Sequence, residues 1–229
     1  HYVARIVDAI DPQPGQNLVE IGPGLGALTR PLIARCGHVH AVEIDRDLAA
    51  RLAGEFTPAQ LSLHVADALT FDFATLGERL RVVGNLPYNI SSPLLFHLAQ
   101  YDRQIVDLHV MLQKEVVARM TAEPATADYG RLTVMLRAKF AVRRLFVVPA
   151  GAFSPAPKVE SAVARLTPRG AAKPVIADEV LFADVVQHAF GQRRKTLRNA
   201  LRELCATPTL HAAGIDPSAR GETLATTDF

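Results

Sequence analysis

The sequence predicts an α/β fold built on a doubly wound, mostly parallel sheet, followed by a small C-terminal helical domain. Short apolar runs alternate with stretches of helical period over most of the chain. The first run ends in Gly22-Pro23-Gly24-Leu25-Gly26, where a strand turns tightly into a helix. After a Pro/Gly/Ala-rich stretch, Thr167 to Pro174, only helical patterning remains. Strands that alternate with helices form βαβ units, whose sheet is covered on both faces.

Taken in order, Tyr2 to Ile10 reads as a helix stopped by Asp11-Pro12. Asn17 to Ile21 is a strand, followed past the glycines by a helix to Ala34 or Arg35. His38 to Ile44, Leu61 to Val65 and Leu80 to Val83 are further strands, with a helix over Arg46 to Glu55. Ser91 to Gln100 is helical, Ile105 to Leu112 a strand, and Lys114 to Thr121 and Tyr129 to Ala138 are helices. Phe140 to Val148 and Ser161 to Leu166 complete the sheet. Helices over Asp178 to Phe190, Arg193 to Leu204 and Thr207 to Ala213 form the tail. The arrangement is Rossmann-like, with domains expected at 1–170 and 171–229.

With 229 residues, 49% of them hydrophobic and 21% charged, the chain is long enough for one α/β core plus a small appended unit. Disorder is excluded by that balance. No apolar stretch reaches the roughly 18 residues needed to span a bilayer; the longest, Ile105 to Leu112, is interrupted by Asp107 and His109. No signal-peptide pattern follows His1, and Cys36 and Cys205 lie far apart, so a cytoplasmic protein with reduced thiols is expected. The histidines are scattered; the spacing of His38 and His40 would allow a shared metal, but it is first of all that of alternation along a strand. A net charge of +2 does not announce a nucleic-acid binder. The distribution does more: from Phe190 to Arg202 the chain carries Arg193, Arg194, Lys195, Arg198 and Arg202 with no acid among them. On a continuous helix Arg194, Arg198 and Arg202 share one face, suited to tracking RNA phosphates.

In open parallel sheets ligands sit beyond the carboxyl ends of the strands. Glu20, Gly22 and Gly24 mark the first such end, where glycines let a ligand approach the backbone. Glu43 ends the next strand, 21 residues after Gly22, the place for an acid that accepts from a ribose diol. Asp67 ends a third and can accept from an adenine amino group. The glycine pattern alone, with Ala27 in its last slot, also fits a dinucleotide fingerprint.

Asn85-Leu86-Pro87-Tyr88 narrows the chemistry. The lone pair of an adenine N6 is delocalised into the ring, so the amine is a poor nucleophile. Acceptors aimed at its hydrogens, the Asn85 side-chain oxygen and the Leu86 carbonyl, favour a more tetrahedral nitrogen as it attacks a methyl group. Pro87 stiffens the turn, and Tyr88 offers a ring on which an extruded base stacks.

This motif is similar to that of the ribosomal RNA adenine N6-dimethyltransferases. So are Glu20 to Gly26, Met111 to Val117, Tyr129 to Leu132, Phe153 to Ser161 and Gln192 to Arg198. The likeness is greatest to the bacterial small-subunit branch, the kasugamycin-sensitivity methyltransferases. It implies a class I methyltransferase fold with S-adenosylmethionine as donor and S-adenosylhomocysteine as product. The implied reaction is dimethylation of two adjacent adenosines in a hairpin loop near the 3′ end of small-subunit rRNA. It further implies that Gly22, Glu43, Asp67 and Asn85 bind the donor, that Asn85, Leu86 and Tyr88 hold the base, and that Phe153 is a second aromatic beside it. A pre-ribosomal small subunit is the expected partner of a monomeric enzyme with no metal and no membrane. The family's Gln-Asn-Phe-Leu-like segment, which helps cover the donor, is not in the sequence, which begins at His1. Three rivals remain: a large-subunit rRNA methyltransferase of the macrolide-resistance kind, a DNA adenine methyltransferase, and a ribosome-assembly or transcription factor that uses the fold to bind.

Overall fold

A computed structural model describes residues 2–153, 156–192 and 194–229. Ser154, Pro155 and Arg193, which belong to two of the family-like blocks, lie outside the described residues, as does His1. In chain order the elements are α1 (Tyr2–Ile10), β1 (Asn17–Ile21), α2 (Thr29–Cys36), β2 (Val39–Glu43), α3 (Arg46–Glu55) and β3 (Leu61–Val65). They continue with β4 (Leu80–Asn85), α4 (Ser91–Leu98), β5 (Ile105–Gln113), α5 (Lys114–Thr121), α6 (Arg131–Arg137) and β6 (Phe140–Val148). The last are β7 (Ser161–Pro168), α7 (Glu179–Gly191), α8 (Leu197–Ala200) and α9 (Thr207–Ala212). The chain divides into two compact units, His1–Val117 with Ala141–Pro168, and Ala118–Phe140 with Arg169–Phe229. The boundaries therefore differ from contiguous domains at 1–170 and 171–229. Local patterning cannot reveal this, because residues 118–140 pack their apolar side chains with residues far along the chain.

The first unit holds one seven-stranded sheet in the order β3-β2-β1-β4-β5-β7-β6. Pairings from β3 through β5 are parallel, whereas β7 runs antiparallel to β5. The central strands are apolar on both faces, as a covered parallel sheet requires: Leu18, Val19, Val82 and Val83 have no exposure. Helices α1 and α2 contribute Ile6, Val7, Ile10, Leu32 and Ile33 to the same core cluster as β1 and β2.

A buried ion pair ties α1 to the sheet. Arg81 of β4 makes a bidentate contact with Asp107 of β5, at 3.0 Å and 2.9 Å. Its remaining donors reach the Ile10 carbonyl at 2.6 Å, the Asp11 carbonyl at 3.2 Å and Gln16 Oε1 at 2.6 Å. Asp11 adopts φ 48°, the left-handed conformation that ends a helix, and its N–H donates to the Val7 carbonyl. A buried guanidinium is tolerated because all its donors are used.

The second unit closes on its own apolar clusters. Tyr129, Val134 and Ala138 pack with Phe182 and Val186 of α7, and Tyr129 Oη donates to the Leu224 carbonyl at 2.8 Å. Asp178 caps α7 by accepting from the Val180 and Leu181 N–H groups. The helix expected over Arg193 to Leu204 is not continuous; among its described residues only Leu197–Ala200 is α-helical. The Leu197 and Arg198 N–H groups donate to the Ala219 and Pro217 carbonyls, so tertiary bonds stand where bonds to a preceding helical turn would be. Arg194, Arg198 and Arg202 are all exposed but do not share one helix face.

Histidines on β2 and β3 set an acid limit on the sheet edge. His40 Nδ1 lies 3.2 Å from His64 Nε2, and burial holds both below the ordinary 6.5, His40 at about 4. Buried His109 on β5 is also pushed down to about 4. Unfolded imidazoles bind protons below about 6.5 while the folded ones stay neutral, so stability is full above that pH and falls as pH drops toward 4. Melting temperature should decline between pH 7 and 4.5, and His40→Phe, which keeps a ring against His64, should flatten the decline. Equal slopes in the two proteins would remove this pair as a cause.

Candidate functional site

The β1–β4 pairing aligns Ile21 with Gly84, so Gly22 and Asn85 emerge side by side at the carboxyl edge of the sheet. Gly22, Gly24 and Gly26 adopt φ of 64°, 55° and 80°, a region L side chains rarely adopt. The resulting turn is held by the Gly22 N–H on the Val42 carbonyl and the Gly26 N–H on the Pro23 carbonyl, both at 2.9 Å. At Gly26 a Cβ would also lie 3.0 Å from Leu52 Cδ2.

A cavity of about 400 Å³ opens over these strand ends. Glu20, Gly22, Gly24, Asn85 and Phe153 all line it, and Tyr2, Val3 and Ile6 of α1 supply an apolar wall. Glu20 is 2% exposed and its Oε2 has no hydrogen-bond partner among the described residues. Burial pushes its carboxyl up to about 7, with the Thr29 hydroxyl offsetting part of the rise and the Glu43 carboxylate adding to it. A buried, under-satisfied acid facing an open cavity suits a cationic group. An α-ammonium provides one, and the apolar wall suits the alkyl arms of a sulfonium.

Glu43, Asp67, Leu86 and Tyr88 do not line this cavity. Glu43 Oε2 accepts from the Gly24 N–H at 3.1 Å and Oε1 from the Asp45 N–H at 3.0 Å, so the acid that ends β2 also pins the glycine turn. Asp67 Oδ1 accepts from the Leu69 N–H at 2.9 Å and caps its own turn. Leu86 is buried, with its N–H on the Met111 carbonyl at 3.1 Å. Half-buried Tyr88 lies 2.9 Å through its hydroxyl from Ser161 Oγ of β7, which fixes the ring against the sheet. The sequence reading missed Leu25, Ile44 and Val65, apolar side chains 56%, 65% and 53% exposed beside the ends of β1, β2 and β3. Of the three, Leu25 lines the cavity, and its signal is an apolar residue between two strand-end glycines. Among the described residues, no group of three His, Cys, Asp or Glu side chains is placed to hold a metal, and no helix is long and apolar enough to cross a membrane.

Glu20 links stability to binding. Its folded carboxyl keeps a proton to about pH 7, whereas the unfolded one loses it near 4.5, so raising the pH through that window favours unfolding. Glu20→Gln should therefore stabilise the protein above pH 7, by up to about 3 kcal/mol, with the gain vanishing toward pH 4.5. The same variant should bind S-adenosylmethionine more weakly, by calorimetry. A variant neither more stable at pH 8 nor weaker in binding would refute the assignment.

Comparison with known proteins agrees with this geometry. The chain matches the family model for ribosomal RNA adenine dimethylase over residues 1–229. It is 59% identical over 227 residues to the ribosomal RNA small subunit methyltransferase A of Aromatoleum aromaticum, covering 99% of this chain and 86% of that protein. The protein of that name from Thiobacillus denitrificans is also 59% identical, covering 99% and 89%. Among solved structures, a dimethyladenosine transferase from Plasmodium falciparum superposes with a TM-score of 0.76 at 25% identity, covering 93% of this chain and 76% of that one. The 23S rRNA methyltransferase ErmE does so with 0.71 at 27%, covering 99% and 93%. With a sheet, a glycine turn and an Asn-Leu-Pro-Tyr strand end that agree with a match over the whole sequence, the chain belongs to the ribosomal RNA adenine dimethylases, which are methyltransferases that use S-adenosylmethionine.

Proposed function

We propose that the protein transfers methyl groups to N6 of two adjacent adenosines in a hairpin loop near the 3′ end of small-subunit rRNA, within a pre-ribosomal small subunit in the cytoplasm, and acts as a monomer. The observation that carries the site assignment is the presence of Asn85 in the same cavity wall as Glu20, Gly22 and Gly24. One strand end thus serves both the donor and the acceptor base. The choice of small over large subunit is supported by relatives of 59% identity that bear the small-subunit name, against 27% for ErmE.

In this reading Glu20 faces the donor's ammonium, and Glu43 accepts from its ribose while still holding the Gly24 N–H. Asp67 accepts from its adenine. When bound, S-adenosylmethionine supplies an electrophilic methyl group on a sulfonium. The chain's task is to position an amine in line with it. Asn85 Oδ1 and the Leu86 carbonyl accept from the adenine N6 hydrogens, so nitrogen's lone pair is freed as charge develops. Tyr88, braced by Ser161, and Phe153 flank the base. Catalysis then rests on orientation and fixed dipoles. Arg194, Arg198 and Arg202 contact RNA phosphates from the exposed surface of the second unit.

The decisive test is incubation with labelled S-adenosylmethionine and unmethylated small subunits, followed by mapping of the product. Label on adenines elsewhere, or in large subunits alone, rejects the proposal. Asn85→Ala should lower the single-turnover rate by about 100-fold or more while RNA affinity changes little; a rate that survives rejects the activation of N6. Replacing Arg194, Arg198 and Arg202 together by Gln should flatten the slope of log affinity against log salt by about 2 units, since each phosphate contact releases roughly 0.7–0.9 counterion. An unchanged slope would return these arginines to a merely solvated surface.

A further inference from the structure

The Arg81 guanidinium holds the C-terminal end of a helix whose other end walls the donor cavity. Helix termini leave carbonyls without intrahelical partners. The carbonyls of Ile10, the last residue of α1, and of Asp11 just after it accept from Arg81, at 2.6 Å and 3.2 Å. The acceptor next in line, Gln16 Oε1 at 2.6 Å, lies in the connection from α1 to β1, so one side chain fixes both sides of the helix stop. Asp107 orients that side chain through two oxygens and also accepts from Arg165 at 3.1 Å. Both Arg81 and Asp107 are buried, at 8% and 1% exposure, so the contact is shielded from water.

Ile6, Val7 and Ile10 of α1 are buried in the core cluster. The contribution of α1 to the cavity is Tyr2, Val3 and Ile6, in its first two turns. Apolar packing of one stripe is compatible with small slides along the helix axis, because it is non-directional. Hydrogen bonds to specific carbonyls are not. Asp11 and Pro12 end α1, and Arg81 anchors that end against the sheet; through the rigid helix such an anchor would govern how far Tyr2, Val3 and Ile6 stand from the strand-end glycines.

We propose that Arg81, oriented by Asp107, is a positioning residue for the methyl donor that acts through α1. It touches neither donor nor base; its effect is to hold the α1 wall of the cavity in the binding-ready place, which lowers the ordering cost of association. The inference rests on the reading of this cavity as the S-adenosylmethionine site.

Three variants of the full chain separate the possibilities by calorimetry with S-adenosylmethionine. Arg81→Lys keeps a charge beside Asp107 but cannot make the fork of contacts to Ile10 and Asp11. It should bind the donor about tenfold more weakly, with the KM for the donor rising and kcat at saturating donor nearly unchanged. Gln16→Ala, at a half-buried loop position, should weaken binding in the same direction by a smaller factor, and it carries the test if Arg81→Lys does not fold. Val3→Arg projects bulk from the wall into the cavity and should abolish binding. A folded Arg81→Lys or, failing that, a folded Gln16→Ala with wild-type donor affinity, beside a Val3→Arg that has lost it, overturns the proposal and leaves Arg81 as a stabilising ion pair. Unchanged affinity in Val3→Arg overturns the reading of the cavity itself.

Discussion

The close approach of β1 and β4 at their carboxyl ends is the constraint on which the site depends. Opposite Gly84 there is no room for a side chain: a Cβ would lie 2.7 Å from the Ile21 carbonyl oxygen. With glycine there, the two backbones keep their parallel register to the last residue, and the turn after β1 and the turn after β4 leave the sheet as neighbours. A bulkier residue would splay the strands at the edge where the proposed function places donor and acceptor. In the proposed mechanism, near-attack geometry would then depend on a backbone contact one residue before Asn85.

Around that contact the two acids of the site have opposite circumstances. Glu43 is satisfied by two backbone N–H groups and acts as a brace for the glycine turn. Glu20 has an oxygen without a partner, in a place where burial disfavours its charge. The first organises the glycine turn within the protein itself; the second is a cost that folding bears and that a cationic ligand would relieve. Unsatisfied polarity concentrates at sites for this reason, since acceptor capacity left over within the protein is what a ligand can use.

The sheet was readable in the sequence because its strands are short apolar runs closed by turn residues, and most element limits agree to within a few residues. The glycine turn was readable because three closely spaced glycines at a strand end mark a backbone that takes positive φ, which other residues rarely do. Asn85 stood out through the Asn-Leu-Pro-Tyr motif, and Glu20 through its place just before the strand-end glycines. Arg81 was not, because a lone arginine in an apolar strand gives no hint that Asp107, Ile10 and Gln16 converge on it. The stretch from Arg193 to Leu204 misled: its spacing is helical, yet carbonyls near residue 218 capture its N–H groups. Periodicity reports side-chain preference and is silent about which backbone partner wins. Leu25, Ile44 and Val65 were passed over because apolar residues beside strands are ordinarily core.

The second unit is assembled from two separate stretches of chain, with Tyr129, Val134 and Ala138 from the first packed on Phe182 and Val186 from the second. Its tail is consequently not a module that evolution or a protein engineer can graft as a single cassette. A fusion that carried residues 171–229 alone would bring α7 without the residues that cover its apolar stripe. Changing what this second unit recognises, while keeping the sheet, therefore calls for paired exchanges at two points in the gene, or for substitutions confined to its exposed surface.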